Sequence, residues 1–388
     1  SSIQEKNFDA AYRRNRDYYF NILTNDLSAY SSESAVDRAN QKIFNRGYVV
    51  KPKKIGEIHT YAFIPSNWSH QNQIADALKD MGPVSRFDYN QYGFLLKNLT
   101  KKGSNRSELK SKIAQICIED IKKVHKENPI DWLFSYALPW DFDEKILKSI
   151  NDELGIPTVN ISLDDKNWWQ QVVRGDPESG LINLAPKFDL GWTSAKIAPP
   201  WYWAEGGQAI FLPEGVNTNW FRPLNLKKEY QVGFVGNNFG YRENIINKIR
   251  KYGFKVETRG LGWGGQINDV DMLDFFNKCH INLGIGDMHY SQWLTNLKGR
   301  DYEIPSVGAG VYVTTYNNDL SISYNIGKEI LCYRGVDELT EMLSYYVKNK
   351  DESEEIAKVG RQRCMKEHKW THRFQYILAL FGILRQSQ

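Results

Sequence analysis

Short apolar runs alternate with longer segments of helical periodicity along the first half of the chain. The helical segments, each with apolar residues on one face, are predicted at 71–81, 108–127 and 142–154. The last of them is followed by Gly155 and Pro157, which is typical of a helix C-terminus. The apolar runs predict strands at 57–64, 84–87, 131–136, 158–163, 190–193 and 209–212.

The same alternation restarts after the proline-bounded segment 213–223. Strands are predicted at 231–235, 255–259, 280–284, 310–315 and 330–333, and helices at 241–252, 269–277, 336–349, 352–368 and 371–384. Strands that alternate with helices form parallel sheets, so the pattern predicts an α/β protein with two Rossmann-like domains. We expect the carboxyl ends of both sheets to face a central cleft, where ligands of such sheets bind.

The pattern also predicts the domain boundaries. Residues 1–50 form a polar helical N-terminal extension, and residues 51–215 form an N-terminal Rossmann-like domain that binds the acceptor. Residues 216–369 form the C-terminal Rossmann-like domain, and the helix within 370–388 packs back toward the N-terminal domain.

Composition narrows the classes of function. The chain has 388 residues, of which 41% are hydrophobic, and a net charge of only +4, so no nucleic-acid partner is expected. The four cysteines are far apart and show no metal-ligand spacing, which favours a reducing compartment. No apolar run approaches the roughly 20 residues of a membrane span and no leader pattern opens the chain, so a cytoplasmic protein is expected.

Residues 298–310 carry the most informative chemistry. They predict a short helix with Lys298, Arg300 and Glu303, then a turn with Gly308 and Gly310 before a strand. Cations and backbone N–H groups near a helix start suit a diphosphate, and a carboxylate one turn later suits the hydroxyls of a ribose. The alternative is a surface helix on which Glu303 pairs with Lys298 or Arg300.

The linker has the sequence Phe-Leu-Pro-Glu-Gly-Val-Asn-Thr-Asn-Trp-Phe-Arg-Pro at 211–223. This resembles the interdomain signature of GT-B glycosyltransferases, especially the group-1 and spore-maturation CgeB-like enzymes. Glu303 with Gly308 and Gly310 is similar to their E-A-x-A-x-G donor motif, with Ile304 and Pro305 as variations. The segment 188–194 resembles their FD-x-x-x-T-S strand, and 163–165 resembles the acidic pair before it; the resemblance covers roughly residues 130–375.

The resemblance implies a glycosyltransferase that moves a sugar from a nucleoside-diphosphate sugar, UDP favoured over GDP or dTDP, to a hydroxyl of a glycan, a lipid-linked glycan or a protein. It implies that Glu303 binds the ribose, that Arg300 and Lys298 neutralise the diphosphate, and that the anomeric configuration is retained. Thr295 stands where retaining relatives with an E-x7-E motif carry their first glutamate, so the sugar end of the pocket departs from the family pattern.

Three further segments are candidates for donor binding. Gly236, Asn237 and Arg242 lie between a predicted strand and helix, where backbone N–H groups can meet phosphates; a tight turn is the alternative.

Gly262 and Trp263 lie in a glycine-rich loop that either approaches the nucleotide base or is a flexible surface loop. Asp287 follows another strand and either faces the sugar or caps the next turn.

Candidates for catalysis lie in the first domain. Asp164 and Asp165 follow a predicted strand, where a carboxylate can take the proton of an acceptor hydroxyl; the alternative is capping of the next segment. His70, in the first βα loop, is a candidate base, and Trp168 is a candidate stacking platform for the acceptor. His59 is expected to be structural.

No metal is expected. The pairs Asp141/Asp143 and Asp269/Asp271 fit the D-x-D pattern of metal-dependent transferases, but each lies at a predicted helix start, where capping explains it better. No cofactor besides the donor sugar is expected either.

Three alternatives stay open at this point. A nucleotide-sugar epimerase has the same architecture, and a degenerate module would bind a nucleotide sugar or glycan without turnover. Finally, the bases at 361–373 either rest on an anionic membrane or form a solvated helix face, and the oligomeric state is open.

Overall fold

The computed structural model describes Arg13 and residues 30–101, 105–170, 177–288 and 294–385. They divide into two compact units, which we call the N-terminal unit (up to Pro213, and again from Arg373) and the C-terminal unit (Glu214–His372). Most of the expected helical extension lies outside the described residues. Its described part contains helix α1, Ser32–Asn45, whose N-terminus is capped by the Ser31 side chain.

The N-terminal unit contains a six-stranded parallel sheet in the order β2-β1-β3-β4-β5-β6. All six strands predicted in this half are present, although most are shorter than expected. They are β1 Thr60–Phe63, β2 Val84–Phe87, β3 Trp132–Ser135, β4 Thr158–Ser162, β5 Leu190–Thr193 and β6 Ala209–Phe211.

The N-terminal unit also contains six α-helices between α1 and Pro213 among its described residues, and part of its core includes Tyr61, Phe63, Leu133 and Ile113. The six helices are α2 Ser69–Leu78, α3 Leu96–Thr100, α4 Arg106–Glu127, α5 Lys145–Ser149, α6 Asp165–Trp168 and α7 Pro199–Ala204. Helix α5 continues as a π-helical turn through Leu154 and begins later than the sequence predicted. The reason is that Asp141 and Phe142 are buried in a preceding turn, in which the Asp141 carboxylate accepts a hydrogen bond from the Leu138 N–H at 2.9 Å.

Two segments outside the sheet, one after α1 and one in the C-terminal helix, contact the strands of this sheet or residues next to them. Arg46, just after α1, forms an ion pair with the buried carboxylate of Asp189 at 2.6 Å, so the aspartate of the FD-x-x-x-T-S segment is a structural residue. Phe374 of the C-terminal helix packs with its ring centroid 5.5 Å from that of Phe134 and 6.1 Å from that of Trp192.

The C-terminal unit contains a five-stranded parallel sheet in the order β11-β10-β9-β7-β8. Its strands are β7 Tyr230–Val235, β8 Val256–Arg259, β9 Cys279–Leu283, β10 Val311–Thr315 and β11 Leu331–Tyr333. Its helices, followed by the C-terminal helix, are α8 Arg242–Lys251, α9 Asp269–Lys278, α10 Arg300–Val307, α11 Leu320–Ser323, α12 Val336–Tyr346, α13 Lys350–Glu367 and α14 Trp370–Leu380.

Helix α10 tolerates a proline in its interior. Pro305 has no N–H and therefore leaves the carbonyl of Asp301 without its helical donor. The hydroxyl of Tyr324 donates to that carbonyl at 2.8 Å instead. The helix ends at Gly308, whose φ of 61° is left-handed, as expected from a glycine turn. Among the described helices, none has the length and apolar character that crossing a bilayer would need.

Candidate donor and acceptor sites

Glu303 is buried in the C-terminal unit, with 3% of its surface exposed, and forms an ion pair with Arg300. This is the pairing that the sequence left open as the alternative to a ribose contact. Helix α10 begins at Arg300, so Lys298 precedes the helix rather than lying on it, contrary to expectation. The backbone N–H of Lys298 donates to the Asp301 carboxylate at 2.7 Å, which holds the helix start in place.

A second buried carboxylate, which the sequence analysis did not identify, lies beside Glu303. A Cβ built on Gly299 would lie 3.5 Å from the Glu303 Oε1 and 3.6 Å from the Glu214 Oε2. Glu214 belongs to the linker and is 5% exposed. Its only signal in the sequence is its place between Pro213 and Gly215, where any residue fits the linker signature.

Four predicted charges of the donor site lie close enough to affect one another. Burial lowers the pKa of Arg242 to about 10, with Asp287 opposing this effect and Arg300 adding to it. Burial raises the pKa of Asp287 to about 6, against the stabilising charges of Arg242 and Lys298. The parallel sheet thus brings side chains from the start of α8, from the segment after β9 and from around the start of α10 to one place.

Arg242 and Arg300 each have a hydrogen-bond donor without an acceptor among the described residues. The Arg242 guanidinium lies 4.2 Å from the Phe239 ring and donates to the Asn237 carbonyl at 2.9 Å. The Nε atoms of Arg242 and Arg300 are buried and have no hydrogen-bond acceptor among the described residues. A buried donor without a partner costs free energy, so these atoms indicate a place for an acceptor from outside the chain.

Gly236 and Gly262 have steric reasons to be glycine. A Cβ on Gly236 would lie 3.1 Å from the Arg242 Nη1 and 2.9 Å from the Phe234 ring, so its absence makes room for the guanidinium. A Cβ on Gly262 would lie 2.7 Å from the Asn238 Cβ. Trp263, expected beside the base, packs edge-on against Phe234 at 6.2 Å and belongs partly to the core of the C-terminal unit.

Gly308 and Gly310 are also explained by packing. A Cβ on Gly308 would lie 2.7 Å from the Arg361 Cβ, and one on Gly310 would lie 2.4 Å from the Cys279 carbonyl oxygen. The donor motif therefore contains residues that position α10 between β10 and α13, whatever it binds. Thr295 forms an isolated bridge with Asp287.

In the N-terminal unit, three predicted residues, His70, Asp164 and Trp168, line one pocket of about 460 Å³. The His70 Nε2 lies 3.1 Å from the Tyr136 hydroxyl, and the His70 ring stacks on Trp68 at 6.1 Å. The pocket thus combines an imidazole and a carboxylate with several aromatic rings.

The two neighbouring aspartates have different environments. Asp164 is partly exposed and its carboxylate makes no capping bond to α6; it accepts a hydrogen bond from the Asn167 side chain at 3.2 Å. Asp165 is fully buried and accepts hydrogen bonds from the hydroxyls of Ser162, Thr193 and Tyr202.

Burial raises the Asp165 pKa to about 6, with the three hydroxyls opposing that shift. This corrects the expectation that either aspartate could meet the acceptor, because both Asp165 oxygens are already used inside the core.

The contacts also bear on the predictions made for His59, for the pair Asp269/Asp271 and for a metal site. His59 is buried and its ring lies 3.0 Å from the Asn128 carbonyl and 2.9 Å from the Ser85 hydroxyl, a structural role. Asp269 and Asp271 begin α9, and Asn268 caps that helix. Within the described ranges, no group of three His, Cys, Asp or Glu side chains is placed to hold a metal ion.

The bases near the C-terminus are mostly engaged by the protein. Arg363 pairs with Glu329 and Glu367, Arg361 donates to the Ser306 carbonyl, and Arg373 donates to the Pro213 carbonyl at 3.0 Å. These contacts use the three guanidinium groups within the protein.

Comparisons with known proteins agree with this geometry. Residues 218–379 match a family model described as "Glycosyl transferase-like". No curated protein matches the chain.

Similar solved structures include sucrose-phosphate synthase from Thermosynechococcus elongatus (TM-score 0.55, 12% identity, 84% of this chain and 100% of that chain). Anabaena HepE, solved in complex with UDP and glucose, is similar with a TM-score of 0.52 and 13% identity, over 83% of this chain and 100% of that one. A glycosyltransferase from Rickettsia africae is similar with a TM-score of 0.52 and 10% identity, over 85% and 99% of the two chains.

At this level of identity the similar structures establish the fold, which confirms the predicted pair of Rossmann-like parallel-sheet units. The family match lies almost wholly in the C-terminal unit, where the predicted donor residues converge. Residues 218–379 are therefore similar to a glycosyl transferase-like family, and the two units have the fold of the GT-B glycosyltransferase structures, both as the sequence predicted.

Proposed function

We propose that the protein transfers a glycosyl group from a nucleoside-diphosphate sugar to an acceptor hydroxyl. In this proposal the C-terminal unit binds the donor and the N-terminal unit binds the acceptor. The observation that carries the proposal is the convergence of Arg242, Asp287, Lys298, Arg300 and Glu303 at one place in the C-terminal unit. Two buried guanidinium donors of this cluster have no acceptor among the residues that the structure describes.

The cations of this cluster have a role in the reaction. The diphosphate leaves as the glycosidic bond breaks, so its negative charge grows in the transition state. Arg242, Arg300 and Lys298 would stabilise that charge, and the free Nε donors would bind phosphate oxygens. Because three cations are present, we include transfer without a metal ion in the proposal.

Glu303 is the proposed ligand of the ribose. Its side chain is buried beside Glu214, and a carboxylate can accept hydrogen bonds from two neighbouring hydroxyls. When a ribose binds, Arg300 would turn from Glu303 toward the diphosphate. We propose UDP as the nucleotide; HepE, solved with UDP and with UDP-glucose, is the reason for this choice.

The proposed acceptor site is the pocket of the N-terminal unit. Asp164 or His70 would take the proton of the attacking hydroxyl, since both line the pocket and both are partly exposed. Asp165 would instead hold the backbone before Asp164 in place through its three hydroxyl partners. Retention of configuration and membership of the CgeB-like group rest on the sequence motifs alone.

The test is an incubation with UDP-, GDP- and dTDP-sugars, with and without a panel of hydroxyl acceptors, in buffer and in EDTA. Nucleoside diphosphate released only with an acceptor, and equally in EDTA, is the expected result. A changed sugar without acceptor would indicate an epimerase, and thermal stabilisation without any product would indicate a binding module. Either of these results would overturn the proposal.

A further inference from the structure

The pocket of the N-terminal unit is lined mainly by apolar side chains. Four leucines from separate segments line it: Leu96, Leu138, Leu163 and Leu181. Three tryptophans join them, and two of these, Trp140 and Trp168, pack edge to face with ring centroids 6.2 Å apart. A pocket of this size and character is typical of sites for small, largely apolar ligands.

Most of the polar side chains that line the pocket are already hydrogen-bonded within the protein. The Ser162 hydroxyl donates to Asp165 at 2.8 Å, and the Arg106 Nε donates to the Leu99 carbonyl at 2.7 Å. The Asp164 carboxylate accepts from Asn167, and the His70 Nε2 lies against the Tyr136 hydroxyl. A bare sugar carries a hydroxyl on nearly every ring carbon, and each hydroxyl buried without a partner costs free energy.

One buried donor of the lining has no partner. The Trp140 Nε1 is shielded from solvent and has no acceptor among the described residues. A ligand with one well-placed oxygen would satisfy it, whereas a ligand with many hydroxyls would leave most of them unpaired. The pocket therefore has the chemistry for an apolar body with few polar atoms.

We propose that the acceptor carries an apolar group, an aglycone, next to its accepting hydroxyl, and that this pocket binds that group. The inference rests on the proposed function, because it takes the pocket to be the acceptor site. The accepting hydroxyl would then lie against His70 or Asp164, while the leucines and tryptophans of the lining contact the apolar group. A free oligosaccharide is the acceptor class that this arrangement disfavours.

The test is a binding series with n-alkyl β-D-glucosides from methyl to octyl, without nucleotide, followed by tryptophan fluorescence and calorimetry. Three tryptophans line the pocket, so its occupation should change their emission. Affinity should rise about fourfold for each added methylene until the pocket is full, as expected for burial of apolar surface. Equal affinities for methyl and octyl glucosides, or tighter binding of maltose, would overturn the inference.

Two adjacent leucines provide a matched pair of variants. Leu96 lines the pocket, whereas its neighbour Leu95 is 43% exposed and does not. Leu96→Asn should weaken octyl glucoside binding at least tenfold and leave methyl glucoside unchanged, while Leu95→Asn should change neither. Equal effects of the two substitutions would show that the glucosides bind elsewhere.

The series separates this inference from the proposed function. The glucosides are measured without nucleotide, so their chain-length dependence concerns only the N-terminal unit. UDP binding is measured separately and concerns the C-terminal unit. If UDP does not bind but glucoside affinity rises with chain length, the donor assignment is refuted and the apolar pocket is supported. If UDP binds but glucoside affinity does not rise with chain length, the apolar aglycone is refuted and the proposed glycosyl transfer is unaffected.

Discussion

The substitution Glu303→Gln tests the donor site with the least disturbance of the fold. Glutamine has the shape of glutamate but no charge, so it retains one acceptor for Arg300 while losing the carboxylate that two ribose hydroxyls would share. The Glu303 side chain is 4% exposed and that of Arg300 is 31% exposed, so the ion pair is partly solvated. The cost to folding should therefore be about 1 kcal/mol or less.

The cost to nucleotide binding should be larger. Hydrogen bonds to a charged group contribute about 1.5–3 kcal/mol, so the loss of the carboxylate should weaken UDP binding by roughly 10- to 150-fold. At a UDP concentration about 100 times the parent's dissociation constant, the ligand stabilises the parent by about 2.7 kcal/mol. A 30-fold weaker variant would keep only about 0.9 kcal/mol of that stabilisation.

Thermal unfolding with and without UDP measures this difference, and calorimetry gives the dissociation constants directly. Glu257→Gln is the matched control, since Glu257 also pairs with an arginine of the C-terminal unit, Arg259, but at a site with half-exposed side chains. The control should bind UDP like the parent. If Glu303→Gln binds UDP, GDP and dTDP as tightly as the control does, Glu303 is not the ribose ligand and the assignment is refuted.

Two further predictions follow from contacts in the same unit. Asp287 has a pKa near 6, so it is ionised at pH 7.5 and repels a diphosphate, but it is neutral at pH 5. Asp287→Asn should therefore bind UDP about tenfold more tightly than the parent at pH 7.5, because a factor of ten corresponds to a shift of one pKa unit. The difference in affinity between variant and parent should disappear toward pH 5. Calorimetry of variant and parent at the same pH removes the effect of the titration of UDP itself. A difference in UDP affinity that does not depend on pH would contradict the prediction. Tyr324→Phe removes the donor that replaces the missing N–H of Pro305 and leaves the Asp301 carbonyl unpaired. Urea unfolding should show a loss of about 1–3 kcal/mol, against less than about 0.5 kcal/mol for exposed Tyr345→Phe, and equal losses would contradict the role of Tyr324.

Much of the fold was predictable because its signals are local. Apolar runs of four to eight residues predicted all eleven strands of the two sheets. The glycine after α10 predicted the end of that helix, since only glycine adopts its left-handed backbone without strain. The helix start was displaced, because Lys298 is drawn into the turn by the bond of its N–H to Asp301.

The candidate site was predictable only in part. The sequence predicted Arg242, Asp287, Arg300 and Glu303 as donor-site residues because each follows a strand or begins a helix where ligands of parallel sheets bind. Glu214, Leu96, Leu138 and Trp140 were missed, because no motif specifies the residue type at these positions. Their proximity to the site depends on long-range packing, about which their neighbours in the sequence contain no information.

The sequence by itself determined the two α/β halves, the glycine and proline residues that end their elements, and the residue types of the proposed nucleotide-sugar site. Periodicity and turn chemistry are properties of neighbouring residues. Tertiary structure decided which of these residues remain available. It buried Asp165 among three hydroxyls and left Asp164 beside the pocket, although the two are adjacent in the chain. The physical reason is that burial and the choice of hydrogen-bond partner depend on elements distant in the chain, here β5 and α7, which supply Thr193 and Tyr202.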